Sequence, residues 1–140
     1  MRDRPGDRWE LQELNARYAH ALDHNDLGAF LQLFTPDALY TLQARRSQGR
    51  EALAAFFTGR QSRGPRTTRH LFSGLQLVFT GDLAATGGSV WMSFAAQGVA
   101  PIAPAEPYLV ADMQDRYVLQ EGRWLFAERH ILPVFCQSVP

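Results

Sequence analysis

The sequence predicts an α+β fold, on three observations. Helical periodicity is confined to the stretch that ends near Phe57, strand-like alternation fills the chain from Thr67 onward, and turn residues at Gly81-Asp82 and from Gln120 to Arg123 separate long strands at hairpin spacing. Helices first and antiparallel strands after segregate the elements into two layers. Long hairpin-linked strands curl into a highly bent, mostly antiparallel sheet. The expected architecture is a cone-shaped barrel with three N-terminal helices on the concave face, enclosing a pocket open at one end. At 140 residues, the chain reads as a single domain, 1–140, with residues 1–7 as a loose arm.

The first helix is expected over Trp9–Asp23, where Leu11, Leu14, Tyr18 and Leu22 recur at three- and four-residue spacing and turn Tyr18 inward. His24, Asn25 and Asp26 break that stripe. A second helix follows over Leu27–Phe34, capped by Asp26 and stopped by Thr35-Pro36, because the residue before proline avoids helical geometry. Ala38–Leu42 is a short strand. Gly49–Phe57 is a third helix that buries Leu53, Phe56 and Phe57, and Gln61–Arg66 is a linker. The long strands are expected at Thr67–Thr80 with a bulge at Gly74, Leu83–Ala96, Tyr108–Leu119 and Trp124–Val134. The Gly98–Pro107 segment is a proline-stiffened loop. It and the tail from Pro133 to Pro140 carry apolar residues suited to a lid or an interface.

Composition narrows the function. Fourteen arginines balance fourteen acidic residues, so no net field favours nucleic acid or an acidic membrane. No apolar run approaches the roughly twenty residues needed to span a bilayer. The charged start MRDRPGDR lacks the apolar core of a secretory signal. Cys136 stands alone, which rules out an internal disulfide and points to a reducing cytoplasm. Neither a glycine-rich phosphate loop nor a metal-ligand cluster is visible, so no cofactor and no metal are expected.

Four histidines and a few acids can carry chemistry. His20 and His24 share a helix face at i, i+4, a zinc-like spacing without a third ligand, and read as surface residues. His130 reads as a rim or interface residue. His70 lies among Leu71, Phe72, Leu75 and Leu77. Facing inward it is a partly desolvated base; otherwise it is a core histidine bonded to backbone, or an exposed one. Asp23 lies about 140° around the helix from Tyr18 and reaches the interior only if the helix ends there. Asp112 and Asp115 fall on opposite faces of one strand, and one of them is a pocket carboxyl. Arg129 pairs with that acid or neutralises a substrate anion.

RYAHALDHNDLGAFLQLFTPDA, GREAL, TRHLFSG and DRYVLQEGRWLFAERH, in this order and spacing, resemble the SnoaL-like branch of the nuclear transport factor 2-like superfamily. The resemblance covers nearly the whole chain and implies the cone-shaped fold, often as a dimer packed through the sheet. In its dehydratase and dehydrochlorinase members an aspartate ending the first helix orients a histidine base on the first long strand. Asp23 and His70 fall at those positions, and Tyr18 at that of a pocket tyrosine. The early strand lacks the carboxylate base of ketosteroid isomerases, whose second pocket acid falls near Asp115, making Tyr18 and Asp115 conceivable as a hydrogen-bonding pair in the pocket. The second long strand reads Trp91-Met92-Ser93 where some dehydratases carry a further acid.

Two functions follow as expectations. The first is a cofactor-independent lyase or isomerase, of dehydratase type, that removes a carbon-bound proton with an Asp23–His70 dyad assisted by Tyr18. Its substrate is a small, largely apolar ring compound lined by Phe34, Tyr40, Phe72, Trp91 and Phe94, with Asp115 and Arg129 as polar contacts. The second is a non-catalytic binding or assembly subunit, like the small subunits of ring-hydroxylating dioxygenases. In either case the outer sheet face is apolar enough to predict a homodimer or higher homo-oligomer.

Overall fold

The computed structural model describes residues 4–103 and 106–137. Its elements run α1 (Pro5–Asp23), α2 (Leu27–Leu31), β1 (Phe34–Leu42), β2 (Arg45–Gln48), α3 (Arg50–Gly59), β3 (Arg66–Gly81), β4 (Ala84–Gln97), β5 (Leu109–Gln120) and β6 (Arg123–Cys136). The six strands form one sheet in the order β2-β1-β6-β5-β4-β3, antiparallel except for the parallel β1–β6 pair. This is the expected α+β architecture.

Helix α1 starts earlier than its apolar stripe suggests. Pro5 occupies the first turn, where its missing N–H costs nothing. Residues 4–7 are therefore not a loose arm. Arg4 donates to the Gly81 and Asp82 carbonyls at 2.9 and 2.8 Å, and Asp7 accepts from the Trp124 indole at 2.8 Å. Residues 1–3 lie outside the described residues.

Helix α2 is shorter than expected. Asp26 caps it as predicted, accepting from Ala29 N at 3.0 Å, but it ends at Leu31. Strand β1 takes over at Phe34, pulled onto β6 by the bond from Phe126 N to the Leu33 carbonyl at 2.8 Å. Pro36 fits within β1 because the β1–β6 register is interrupted between Phe34 and Leu39, where no ladder donor is required. Strand β2 has no sequence signature. Its residues, RRSQ, are polar, and as an edge strand it pairs only with β1, through a turn at Gln43-Ala44.

The four long strands follow the predicted order within a few residues. Gly74, at φ +68°, marks the bulge between Ser73 and Gln76. Glu121 and Gly122, both at positive φ, form the tight β5–β6 turn.

Side chains of α1 alone reach four strands: Tyr18 meets Tyr40 on β1, Asp23 meets His70 on β3, and Asn15 meets Tyr117 on β5 and Arg129 on β6. Only a sheet curled around the helix permits this. The core lies between them, built from Leu11, Leu14, Leu22, Phe30, Phe34, Leu53, Trp91 and Phe126. The α3–β3 linker, the loop after β4 and the end of β6 gather at one end of the cone. There Gly98 N bonds the Pro65 carbonyl and Gln137 N the Tyr108 carbonyl. The expected lid segments therefore lie at the end where β3 begins. Pro104, Ala105 and residues 138–140 of those segments lie outside the described residues.

Gly87 is a close-approach position on β4. A Cβ there would sit 2.8 Å from the Tyr117 ring and 3.1 Å from Leu77, whereas at Gly88 the nearest atom is 3.8 Å away. Gly87→Ala is therefore expected to cost about 1–3 kcal/mol by overpacking. Gly88→Ala should be tolerated. Thermal melting of the two variants side by side checks this: equal melting temperatures would contradict it.

Candidate active site

The strongest arrangement of chemistry-bearing groups lies where α1 ends against the start of β3. On β3, alternation turns Thr68, His70 and Phe72 to the concave face and Arg69 and Leu71 outward. Asp23, the last residue of α1, faces them. Its Oδ1 meets His70 Nδ1 at 2.6 Å and accepts from Thr68 Oγ1 at 2.9 Å, and its Oδ2 accepts from the His70 backbone N–H at 3.0 Å. Both side chains are 8% exposed. Burial by itself raises the Asp23 carboxyl. The hydrogen bonds from the His70 side chain and backbone, the His70 charge and the Thr68 hydroxyl outweigh it and hold the group below its ordinary value.

A carboxylate only accepts, so Nδ1 carries the proton in this contact and Nε2 of the neutral ring keeps its lone pair. Nε2 has no hydrogen-bond partner among the described residues, yet it is not among the polar atoms sealed from solvent. Asp23 thus orients the His70 ring with Nε2 left reachable.

Tyr18 lies deeper. Its Oη shares a hydrogen bond with Tyr40 Oη at 2.5 Å. Burial raises both phenols, so they stay neutral donors. A two-phenol pair uses one proton internally and leaves the other free to be donated. Asp115, its conceivable companion as a pocket donor, instead accepts from Arg129 and Tyr117. Tyr18 connects to the dyad through rings: it sits edge-on to Trp91 at 5.3 Å, and Trp91 stacks on Phe72 at 4.7 Å, two residues from His70.

Asp115 and Arg129 form a buried ion pair on neighbouring strands. Arg129 Nε and Nη2 donate to Asp115 at 2.8 and 2.9 Å, Nη2 also donates to Asn15 Oδ1, and Tyr117 Oη donates to Asp115 at 2.7 Å. Burial alone lowers the guanidinium, but the Asp115 carboxylate beside it keeps it charged. The guanidinium carbon lies 4.4 Å from the Tyr18 and Phe126 ring centres and 5.0 Å from that of Trp91. Nη1 is the buried side-chain polar atom without a partner among the described residues.

Of the expected lining residues, Phe34, Tyr40, Phe72 and Trp91 share the concave side. Phe94 does not. It pairs across the sheet with Arg69 and, by alternation from Trp91, faces outward. Asp112 is also on the outer face and Asp115 on the inner. The expected open cone is filled at its floor, since Tyr18, Phe34, Tyr40 and Trp91 are fully buried. Two cavities, of about 790 and 550 Å³, lie against the outer side of α1 and on the outer sheet face, and neither includes Tyr18, Asp23 or His70. His20 and His24 stack at 3.9 Å near the helix end. His130 lies on the outer face, bonded to Thr41 and Glu128.

Sequence reading missed Thr68, Asn15 and Arg60 beside the site. Thr68 was legible as the residue two before His70, on the same strand face. Asn15 was legible as a polar residue one helical turn before Tyr18. Arg60, which reaches the Leu22 carbonyl and Thr68, sits just past a helix and has no periodic signal.

Removing one partner of the buried pair leaves an uncompensated charge, so Arg129→Met should destabilise the protein by about 3–5 kcal/mol. Adding Asp115→Leu should recover much of that loss. Urea unfolding at neutral pH measures both, and an unchanged midpoint for Arg129→Met would contradict the pairing.

Comparison with known proteins agrees with this fold. Residues 4–130 match the profile of the SnoaL-like domain. No curated protein matches the chain. Among solved structures, a protein of unknown function with a cystatin-like fold from Nostoc punctiforme shares 22% identity over 95% of each chain, with a TM-score of 0.81. The function-unknown protein Rv3472 from Mycobacterium tuberculosis shares 25% over 98% of this chain and 84% of its own, with a TM-score of 0.80. A hexachlorocyclohexane dehydrochlorinase, LinA type 2, shares 15% over 96% of this chain and 94% of its own, with a TM-score of 0.78. Among the described residues no helix is long and apolar enough to cross a membrane.

Proposed function

The chain belongs to the SnoaL-like domain family, and from that premise we propose that it is a cofactor-independent lyase or isomerase acting on a small, largely apolar ring compound. One observation carries this reading: Asp23 holds His70 through both the ring and the backbone N–H, leaving Nε2 without a partner among the described residues. The fold it shares with a dehydrochlorinase adds support.

In the proposed reaction Nε2 takes a proton from carbon next to an activating group. The C–H electron pair becomes a C=C bond, and the leaving group departs with its own electrons as halide or, after protonation, as water. In an isomerisation the proton returns at another carbon. Asp23 stabilises the imidazolium that forms. The spare proton of the Tyr18–Tyr40 pair is the candidate donor to a developing oxyanion or leaving oxygen, and the free Nη1 of Arg129 adds positive charge at the floor. The packed floor means that substrate enters by displacing aromatic side chains or works at the rim.

That packed floor also favours a second reading, a non-catalytic binding or assembly subunit. Deuterium uptake from D2O and water loss, followed by NMR on a panel of cyclic β-hydroxy ketones, separates the two. An enzyme exchanges the acidic proton, and His70→Ala abolishes the exchange. Asp23→Asn lowers it by roughly 10²–10⁴-fold. Full exchange in His70→Ala ends the base reading, and no exchange in the unaltered protein across the panel favours the subunit.

The same reading includes a homo-oligomer. Leu71, Val78, Val90, Met92, Leu132 and Phe135 are exposed on the strands, and a two-fold dimer covers such a face most simply. Light scattering should give twice the chain mass, and Val90→Asp combined with Met92→Asp should halve it. A monomeric mass for the unaltered protein would contradict the assembly. Cys136 as the single cysteine fits a cytoplasmic setting.

A further inference from the structure

Arg60 follows α3 and lies beside the dyad, one side chain removed from Asp23. Its Nη1 donates to the Leu22 carbonyl and its Nη2 to Thr68 Oγ1, both at a long 3.4 Å. Thr68 in turn donates to Asp23 Oδ1. The guanidinium carbon sits 5.7 Å from the Phe57 ring centre. Arg66 stands near it with its own guanidinium 5.6 Å from the Tyr108 ring centre. Among the described residues neither arginine has a carboxylate partner.

This arrangement is costly for a resting protein. Burial, and after it the charge of Arg66, lowers the Arg60 guanidinium from its ordinary value, while the Tyr18, Tyr40 and Tyr108 phenols raise it. Elsewhere the chain pairs its inward arginine with an acid, as at Arg129 and Asp115. Here each of two neighbouring cations rests against an aromatic ring, and Arg60 bonds neutral oxygens. An arginine carries five N–H donors in a planar fork, and the two bonds of Arg60 are long ones. A planar, two-oxygen anion is the ligand that such a fork accepts best.

We propose that Arg60, backed by Arg66, is an anion subsite, and that the substrate is a ring compound bearing a carboxylate. The inference rests on the reading of His70 as the base. The carboxylate seats on Arg60, the ring lies toward Phe57, Phe72 and Trp91, and the reacting carbon comes under His70. Arg60 is then a binding residue that orients the substrate, and Asp23 and His70 remain the proton-transfer machinery. The rival role for Arg60 is structural, capping the C-terminal carbonyls of α1 through Leu22.

Two probes of nearly the same shape separate these roles: 2-naphthoate and its neutral counterpart 2-naphthamide, titrated by calorimetry and tryptophan fluorescence. The unaltered protein should bind the acid at least about tenfold more tightly than the amide, the discrimination expected of a charge-assisted contact. That preference should shrink at high salt. Arg60→Gln should erase it by weakening the acid alone, and Arg66→Gln should reduce it in part. Arg60→Lys keeps the charge without the fork and should retain part of it, which keeps the test open if Arg60→Gln does not fold. His70→Ala should keep the preference for the acid over the amide, whatever its affinity for each, so loss of proton exchange in that variant is separable from loss of the subsite. The subsite is overturned if the unaltered protein shows no preference for the acid or binds neither probe. Arg60→Gln weakening both probes equally, or neither, overturns it as well.

Discussion

The structure depends on satisfying one buried charge. Arg129 lies in the core with no solvent exposure, and a guanidinium there is tolerable only when paired and hydrogen-bonded. Asp115 pairs directly with it across β5 and β6, which ties the register of those strands. Asn15 reaches the same guanidinium from α1, which ties the helix to the sheet. From Asn15, helix geometry carries Tyr18 one turn further and Asp23 about 12 Å along the axis. The position of the dyad is thus set partly from the floor of the cone.

At the other end of α1, two opposing influences meet. The C-terminus of a helix carries partial negative charge, and Asp23 adds a full one beside the His70 ring. Arg60 bonds the Leu22 carbonyl at that same end and partly offsets the negative charge.

Sheet curvature reconciles two facts that conflict in a flat picture. Tyr18 and Asp23 point about 140° apart around α1, yet both face the sheet interior. They do so because the sheet wraps the helix, offering β1 to Tyr18 and β3 to Asp23. The same curvature leaves an outer face on which Val90, Met92 and Leu132 meet solvent while Trp91 and Ile131, their chain neighbours, are buried. Strand alternation alone produces both faces.

Local pattern made the α+β class, the inward turn of Tyr18 and the Asp26 cap legible in the sequence. It also revealed the Gly74 bulge and the long strands, because periodicity, caps and turns are properties of neighbours along the chain. The Asp23 and His70 positions came from the order and spacing of family-like motifs. Their pairing was expected from that resemblance alone, since the contact joins residues 47 apart and depends on where α1 lies over β3. Phe94 went to the outer face because alternation from a buried Trp91 demands it, which required knowing which face Trp91 takes. Strand β2 was invisible because a polar edge strand is held by backbone hydrogen bonds to β1 and buries only Ser47. The filled floor and, among the described residues, the unpartnered Nη1 of Arg129 and the arginines without a carboxylate beside the dyad were decided by tertiary structure alone. Each is a matter of which distant side chains fail to meet a partner, and no local pattern encodes that.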